Sequence, residues 1–260
     1  MEVHHPKHLT HKKKWLEYLL EFVMLFLAVF LGFLAENQRE HIVEAHRAKD
    51  YAKSFLNDLK ADTSDVRGAI ESEKFRADCM DSLVLISRSL NDQLVVPGKF
   101  YYFSRFMSNL YTVDWNSSTI SQLVQSGNLR YFSNKELVAK INAYYSAQQL
   151  TNNRTRISHE TRMKAIDLRN RILQSQYATR FESLDFMQEQ KGHIPSPRID
   201  SLINALLPLT KYADQYFDEY INLLSDWKWR LELNSRSYPG LIQMATEIMQ
   251  LLKDEYDLHD

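Results

Sequence analysis

Cysteine is nearly missing from this 260-residue chain: Cys79 stands alone, so no intramolecular disulfide can form and no cysteine-rich zinc site can assemble. Its ordinary role is that of a small buried apolar residue. Glycine and proline are scarce, six of each and far apart, which argues against a turn-rich sandwich or barrel and leaves long stretches free for helix. Neither charge sign dominates. With 32 Lys and Arg against 33 Asp and Glu, the net charge of −1 lacks the basic excess of a whole-protein nucleic-acid binder. Catalytic signatures are missing too: there is no Gly-rich phosphate loop and no G-x-S-x-G elbow. His159-Glu160 begins a zinc-protease pattern, but Met163 stands where the second ligand is required. His41 and His46 are five apart and point in different directions, and the helical body holds no Glu-x-x-His of the di-iron type. The chain is therefore read as a non-enzyme without catalytic, cofactor-binding or metal residues, with a hydrolase of dispersed site as the minority alternative.

One long hydrophobic run is present. Phe22 to Ala35 is uninterrupted, and counting back through Glu21 to Leu16 gives 20 residues. At about 1.5 Å per residue this spans roughly 30 Å, the thickness of a bilayer's hydrocarbon layer. The large apolar side chains together favour insertion by about 4 to 8 kcal/mol, and Glu17 and Glu21 cost less near one end than the roughly 3 kcal/mol of the centre. Beyond Glu21 the segment is apolar all round, unlike a surface-lying amphipathic helix. Phe33-Leu34-Ala35 gives no small-x-small cleavage site, so residues 15–35 read as an uncleaved signal anchor. Lys7 and Lys12 to Lys14 outweigh Arg39, Arg47 and Lys49 across the span, which predicts a cytoplasmic N-terminus and a periplasmic bulk, residues 36–260.

The expected fold class is all-α, one N-terminal transmembrane helix continuing into an elongated multi-helix extramembrane bundle. Ala45, Ala48, Ala52, Phe55, Leu59, Val66 and Ile70 recur at helical spacing, giving a stalk-like helix over about 36–91 and a helical body over about 99–260. The stripe is a packing seam, with a self-associating stalk as the alternative. Val96-Pro97-Gly98 breaks the chain before an aromatic helix, Phe100 to Tyr111. Asn116, Ser117 and Ser118 offer an N-cap for a short helix that Gly127 ends. Ser133 and Glu136 match a capping box for a long helix running to about Glu189. Gly192, Pro195 and Pro197 form a loop; helices follow at Arg198–Leu207 and Thr210–Leu233. Tyr238-Pro239-Gly240 opens the last one, with Leu241, Met244, Ala245, Ile248, Leu251 and Leu252 as its core stripe.

Three features bear on function. Residues 151–181 hold seven basic against two acidic residues, whereas 182–260 hold 14 acidic against seven basic. These regions either pack together or leave Arg154, Arg162 and Arg169 as a face for an anionic partner. His4, His5, His8 and His11 read as a cationic flank for lipid headgroups, with metal binding the lesser alternative. Glu21 lies about 7.5 Å inside the hydrocarbon edge, one turn beyond Glu17. Either it works there, pairing, carrying a proton or bonding across an oligomer that Gly32 helps to approach, or it snorkels to the headgroups.

HHPKHLTHKKKWLEYLLEFVMLFLAVFLGFLAENQRE and ISQLVQSGNLRYFSNKELVAKINAYY, from Ile120 to Tyr145, resemble a family of single-span membrane proteins of unknown function found mainly in Bacteroidota. The shared features are the His/Pro/Lys-rich start, the early Glu in the span, the Glu-Asn after it, and an L-x-x-S-G-x-L-R segment leading to a Tyr-Tyr helix. The match covers about the first sixty residues and some thirty in the middle, and the family offers no catalytic residue to carry over. It implies a bacterial envelope setting. The expected function is that of a scaffold, adaptor or accessory subunit partnered by the bilayer and by a second copy or another envelope protein. The expectation includes no nucleic acid and no small-molecule substrate. A sensor or proton-coupled transport component using Glu21 is the alternative.

Overall fold

The structure, a computed structural model, describes residues 15–90, 94–109, 111–182 and 197–258, with the backbone alone for Glu182 and for 197–200. The His-rich tail and the Gly192–Pro195 loop lie outside these residues. The elements are α1 Trp15–Arg88, β1 Val95–Pro97, α2 Gly98–Phe106, α3 Ser117–Gln125, a 3₁₀ turn Asn128–Tyr131, α4 Lys135–Ile172, α5 Ser175–Glu182, α6 Pro197–Asn204, β2 Leu206–Pro208, α7 Ala213–Ser235 and α8 Tyr238–Tyr256. Apart from one two-stranded ribbon, the regular structure among the described residues is helical. The chain divides into two units, one ending at Tyr51 and the other Ala52–Asp260.

In the first unit the helix is exposed at every residue from Trp15 to Ile42. It is long and apolar enough to cross a membrane.

In the second unit, α1 buries Ala52, Phe55, Leu59, Asp62, Val66, Ala69, Glu73, Arg76, Met80 and Leu83. The steps alternate three and four, the heptad spacing that keeps one face of a helix turned to its neighbours. The predicted stripe is thus a packing seam over this stretch, although it passes through Ala69 rather than the half-buried Ile70. α4 packs against both α7 and α8. An apolar cluster joins Cys79, Met80 and Leu83 of α1 to α2, the end of α4 and α7, with Phe100 stacked on Phe217 at 5.5 Å between ring centroids. Burial, with a smaller contribution from Asp78, pushes the Cys79 thiol up to about 12. On α8 the buried positions are Tyr238, Leu241, Ala245, Ile248 and Leu252, one face at helical spacing; Met244 is exposed and Leu251 half-buried.

The structure corrects several expected boundaries. The helix expected to run to Glu189 stops at Ile172. Its end is tied to the segment after β2: Thr210 N–H donates to Ile172 C=O at 2.9 Å, and Gln174 Nε2 donates to Leu209 C=O at 2.7 Å. Neither a proline nor a glycine marks the break, because tertiary hydrogen bonds make it; residues past Glu182 in that prediction lie outside the described chain. Asn134, not Ser133, caps α4, its Oδ1 accepting from the Glu136 and Leu137 amides at 2.9 and 3.1 Å. Ser133 instead donates to Glu255 of α8. The aromatic helix ends at Phe106 rather than Tyr111, the helix before β2 ends at Asn204 rather than Leu207, and α7 runs from Ala213 to Ser235 rather than from Thr210 to Leu233. The two proline breaks pair with each other, Val95 opposite Pro208 and Pro97 opposite Leu206. Gly127 closes α3 as expected, with φ at +72°.

Gly98 carries the tightest approach. A Cβ there would collide with the Leu202 carbonyl of α6, and Gly98 N–H donates to Ala205 C=O at 2.7 Å. Gly98→Ala is expected to lower stability by about 1–3 kcal/mol through forced backbone displacement, read as an earlier denaturation midpoint by circular dichroism.

Candidate functional site

Among the residues singled out from sequence, Glu17, Glu21 and Gly32 all lie on the exposed part of α1. Helical periodicity brings Gly32, eleven residues after Glu21, back to within about 20° of it, with Ala28 between them. Glu21, Ala28 and Gly32 therefore share one face, with the small-x-x-x-small spacing that lets two membrane helices approach. The neighbouring face carries a ladder of Phe22, Phe26 and Phe30, with ring centroids 6.5 and 5.9 Å apart. An added Cβ at Gly32 meets nothing within 4 Å in this chain. Just past the apolar run, Arg39 Nε donates to Glu36 Oε2 at 3.0 Å. That hydrogen bond, with the nearby guanidinium charge, holds the Glu36 carboxyl below its usual range.

The three arginines of the basic stretch separate. Arg162 Nε donates to the Ser108 carbonyl at 2.7 Å, and Arg169 Nη1 to Ser108 Oγ at 2.7 Å. These two, one heptad apart on α4, grip the segment just after α2, where the helix presents the negative end of its dipole. Burial, and the like charge of Arg105, lower the Arg162 pKa. Arg154 lies two turns back, about 12 Å along the axis. Ion pairs from this stretch are local, Arg156 with Glu160 and Arg171 with Asp167, both one turn apart.

The most constrained chemistry lies where the α1 seam turns polar. Asp62, 2% exposed, accepts through Oδ1 from the Asn116 amide at 2.8 Å and Asn116 Nδ2 at 3.1 Å, and through Oδ2 from the Tyr144 hydroxyl at 3.0 Å. Of the three N-cap candidates Asn116, Ser117 and Ser118, Asn116 stands at the cap of α3, but its side chain makes no capping bond and serves Asp62 instead. Three turns along α1, Glu73 accepts from Ser235 at 2.8 Å and Tyr238 at 2.9 Å, with Arg76 Nη2 4.0 Å from its carboxylate. Both carboxyls are pushed above their ordinary range by burial, against the opposing pull of these donors. Burial pushes Arg76 the other way, against the pull of Glu73. Beside them Trp227 Nε1 donates to Ser158 Oγ at 3.0 Å. Glu73, Arg76, His159, Arg162 and Asn234 border a cavity of about 20 Å³, the size of a single water site.

Sequence reasoning missed Asp62, Glu73 and Arg76 because it counted only apolar residues at helical spacing. The same alternation of three and four, followed through polar residues, marks all three. Their arrangement is that of a structural joint: each carboxylate oxygen accepts a hydrogen bond from another element.

Glu73→Ala is expected to cost about 3–5 kcal/mol, since it strands the buried Arg76 and two hydroxyl donors. Glu73→Gln, which keeps an acceptor, is expected to cost much less. The pH response follows from the raised carboxyls. Their contribution is complete below the unfolded pKa, near 4.5 for a glutamate, and is lost as pH climbs through the higher folded value. Urea midpoints across the acid to neutral range should show this loss in the native protein and a flatter profile in Glu73→Gln. No protein-family model matches the chain, and no curated protein and no solved structure matches it either.

Proposed function

We propose that this chain is a membrane-anchored helical protein of a bacterial envelope that acts by binding, as a scaffold, adaptor or accessory subunit. One observation carries the reading. From Trp15 to Ile42 no described residue of the chain covers α1, and Phe22 to Leu34 expose their large side chains at every position around the helix. Apolar surface of that extent is stable in lipid or against a partner, not in water. Lys7 and Lys12 to Lys14 favour the orientation in which the N-terminus is cytoplasmic and residues 36–260 are periplasmic in a single-pass inner-membrane protein. The resemblance to single-span Bacteroidota proteins supports the same setting.

A binding role rather than a catalytic one is supported by how the polar side chains of the second unit are used. Asp62, Glu73, Arg162 and Arg169 all act as ties between elements. The face shared by Glu21, Ala28 and Gly32 favours self-association of the membrane helix, in which Glu21 bonds across to a second copy. A second reading, a proton-coupled component, rests on the same carboxyl at membrane depth.

The test is the native mass and composition of the full-length protein extracted in mild detergent. A homo-oligomer that dissociates on Gly32→Leu and on Glu21→Gln is the expected result. A monomer, unaffected by either change and with no companion protein, would falsify the assembly reading. Oligomers that survive Glu21→Gln while a proton-dependent phenotype is lost would transfer the weight to the second reading.

A further inference from the structure

The cavity of about 20 Å³ at the Glu73 joint is lined by Glu73 and Arg76 of α1, Ser158 of α4 and Asn234 of α7, with His159 and Arg162 of α4 beside them. The first four are buried, Arg76 to 4% and Asn234 to 1% exposure. Buried polar groups cost free energy unless each finds a partner, so what these four lack can be counted.

Two donors and two acceptors come up short. Arg76 Nε donates to the Ser72 carbonyl of its own helix at 3.4 Å, and Nη2 stands 4.0 Å from Glu73 Oε1, beyond hydrogen-bond reach. Among the described residues the Arg76 fork makes no other hydrogen bond. Ser158 Oγ accepts from Trp227 Nε1 at 3.0 Å, which leaves its own hydrogen to give, and no described residue takes it. On the acceptor side, Asn234 acts on Glu73 as a donor, a part only its amide nitrogen can play. Its Oδ1 is buried without a hydrogen-bond partner among the described residues. Glu73 Oε1 accepts from the Tyr238 hydroxyl and has room for a second donor.

That pattern selects the ligand. Water, with two hydrogens and two lone pairs, meets two donors and two acceptors at once. Chloride could accept from Arg76 and Ser158, but it would set a negative charge against Asn234 Oδ1 and the Glu73 carboxylate. A cation would face the guanidiniums of Arg76 and Arg162. Size agrees, since roughly 10–15 Å³ is enough for one water. A gap of 4.0 Å between Arg76 and Glu73 is also the kind of separation that a bridging water fills.

We propose that this cavity is a binding site for one water molecule, which accepts from Arg76 and Ser158 and donates to Glu73 and Asn234. The hydrogen bonds of Glu73 from Ser235 and Tyr238 reach α7 and α8; the water carries the joint on to α4. The site lies within the second unit and does not rest on the binding role proposed above.

The experiment has two readouts on the full-length protein in an uncharged detergent. Oxygen-17 relaxation dispersion counts the waters held inside the protein. Asn234→Leu removes an acceptor and places a methyl group in the cavity, so the count is expected to fall by one. A crystal of the native protein soaked in bromide gives the second readout and needs no variant, which keeps the test sound if Asn234→Leu does not fold. A water peak within hydrogen-bond distance of Arg76 and Asn234, without anomalous signal, is expected there. An anomalous peak at that position would assign the site to a halide and overturn the proposal. The absence of any peak, or a count unchanged in folded Asn234→Leu, would overturn it equally.

Discussion

The second unit depends on two carboxylates held out of water. Moving a lone carboxylate into a protein interior costs several kcal/mol, so Asp62 and Glu73 are tolerable only where donors meet every oxygen. The hydrogen-bond donors come from far along the chain. Asn116 and Tyr144 meet Asp62, and Ser235 and Tyr238 meet Glu73, which also has Arg76 one turn away on α1. The requirement fixes the rotation of α1 about its own axis and its register along α4, α7 and α8 at once. A purely apolar seam of alternating small and large residues would allow sliding by a heptad; two buried acids with unlike partners penalise every register but one.

From that joint the remaining architecture follows in order. With α1 set, α4 runs alongside α7 and α8 until its last turn meets the segment after β2. There Thr210 donates to Ile172, Gln174 donates to Leu209, and the Tyr101 hydroxyl links Pro208 to Gln174 before α5 begins. The ribbon of Val95–Pro97 with Leu206–Pro208 fastens α2 to α6, close enough at Gly98 that only a hydrogen fits.

What the sequence made legible was whatever is encoded locally. The apolar run, the Gly127 stop, the core stripe of α8 and the helical class all come from periodicity and from residues with special backbone preferences, and these need no partner to be read. The misses share the opposite character. The end of α4 at Ile172 is made by Thr210, some forty residues on, and no residue near the break disfavours helix. The ribbon joins two segments more than a hundred residues apart, each of which reads alone as a proline break. Asn134 and Ser133 are both good caps, and the choice between them follows from Glu255, which claims the serine. Polar residues at seam positions were invisible because hydropathy patterns treat a buried Glu and an exposed one alike. Of the charged candidates, Arg162 and Arg169 were legible as a basic cluster, but the direction of their heads depends on Ser108, which has no signature in the sequence.

Cys79 brings a practical consequence. Its thiol is buried and pushed up to about 12, so at neutral pH almost none of it is the thiolate that reacts with maleimides or oxidants. To such reagents the folded protein behaves as if it had no cysteine. A single cysteine introduced at any exposed position would then carry a spectroscopic label alone, without removal of the native residue, and reactivity at Cys79 itself would report the opening of the α1 seam around it.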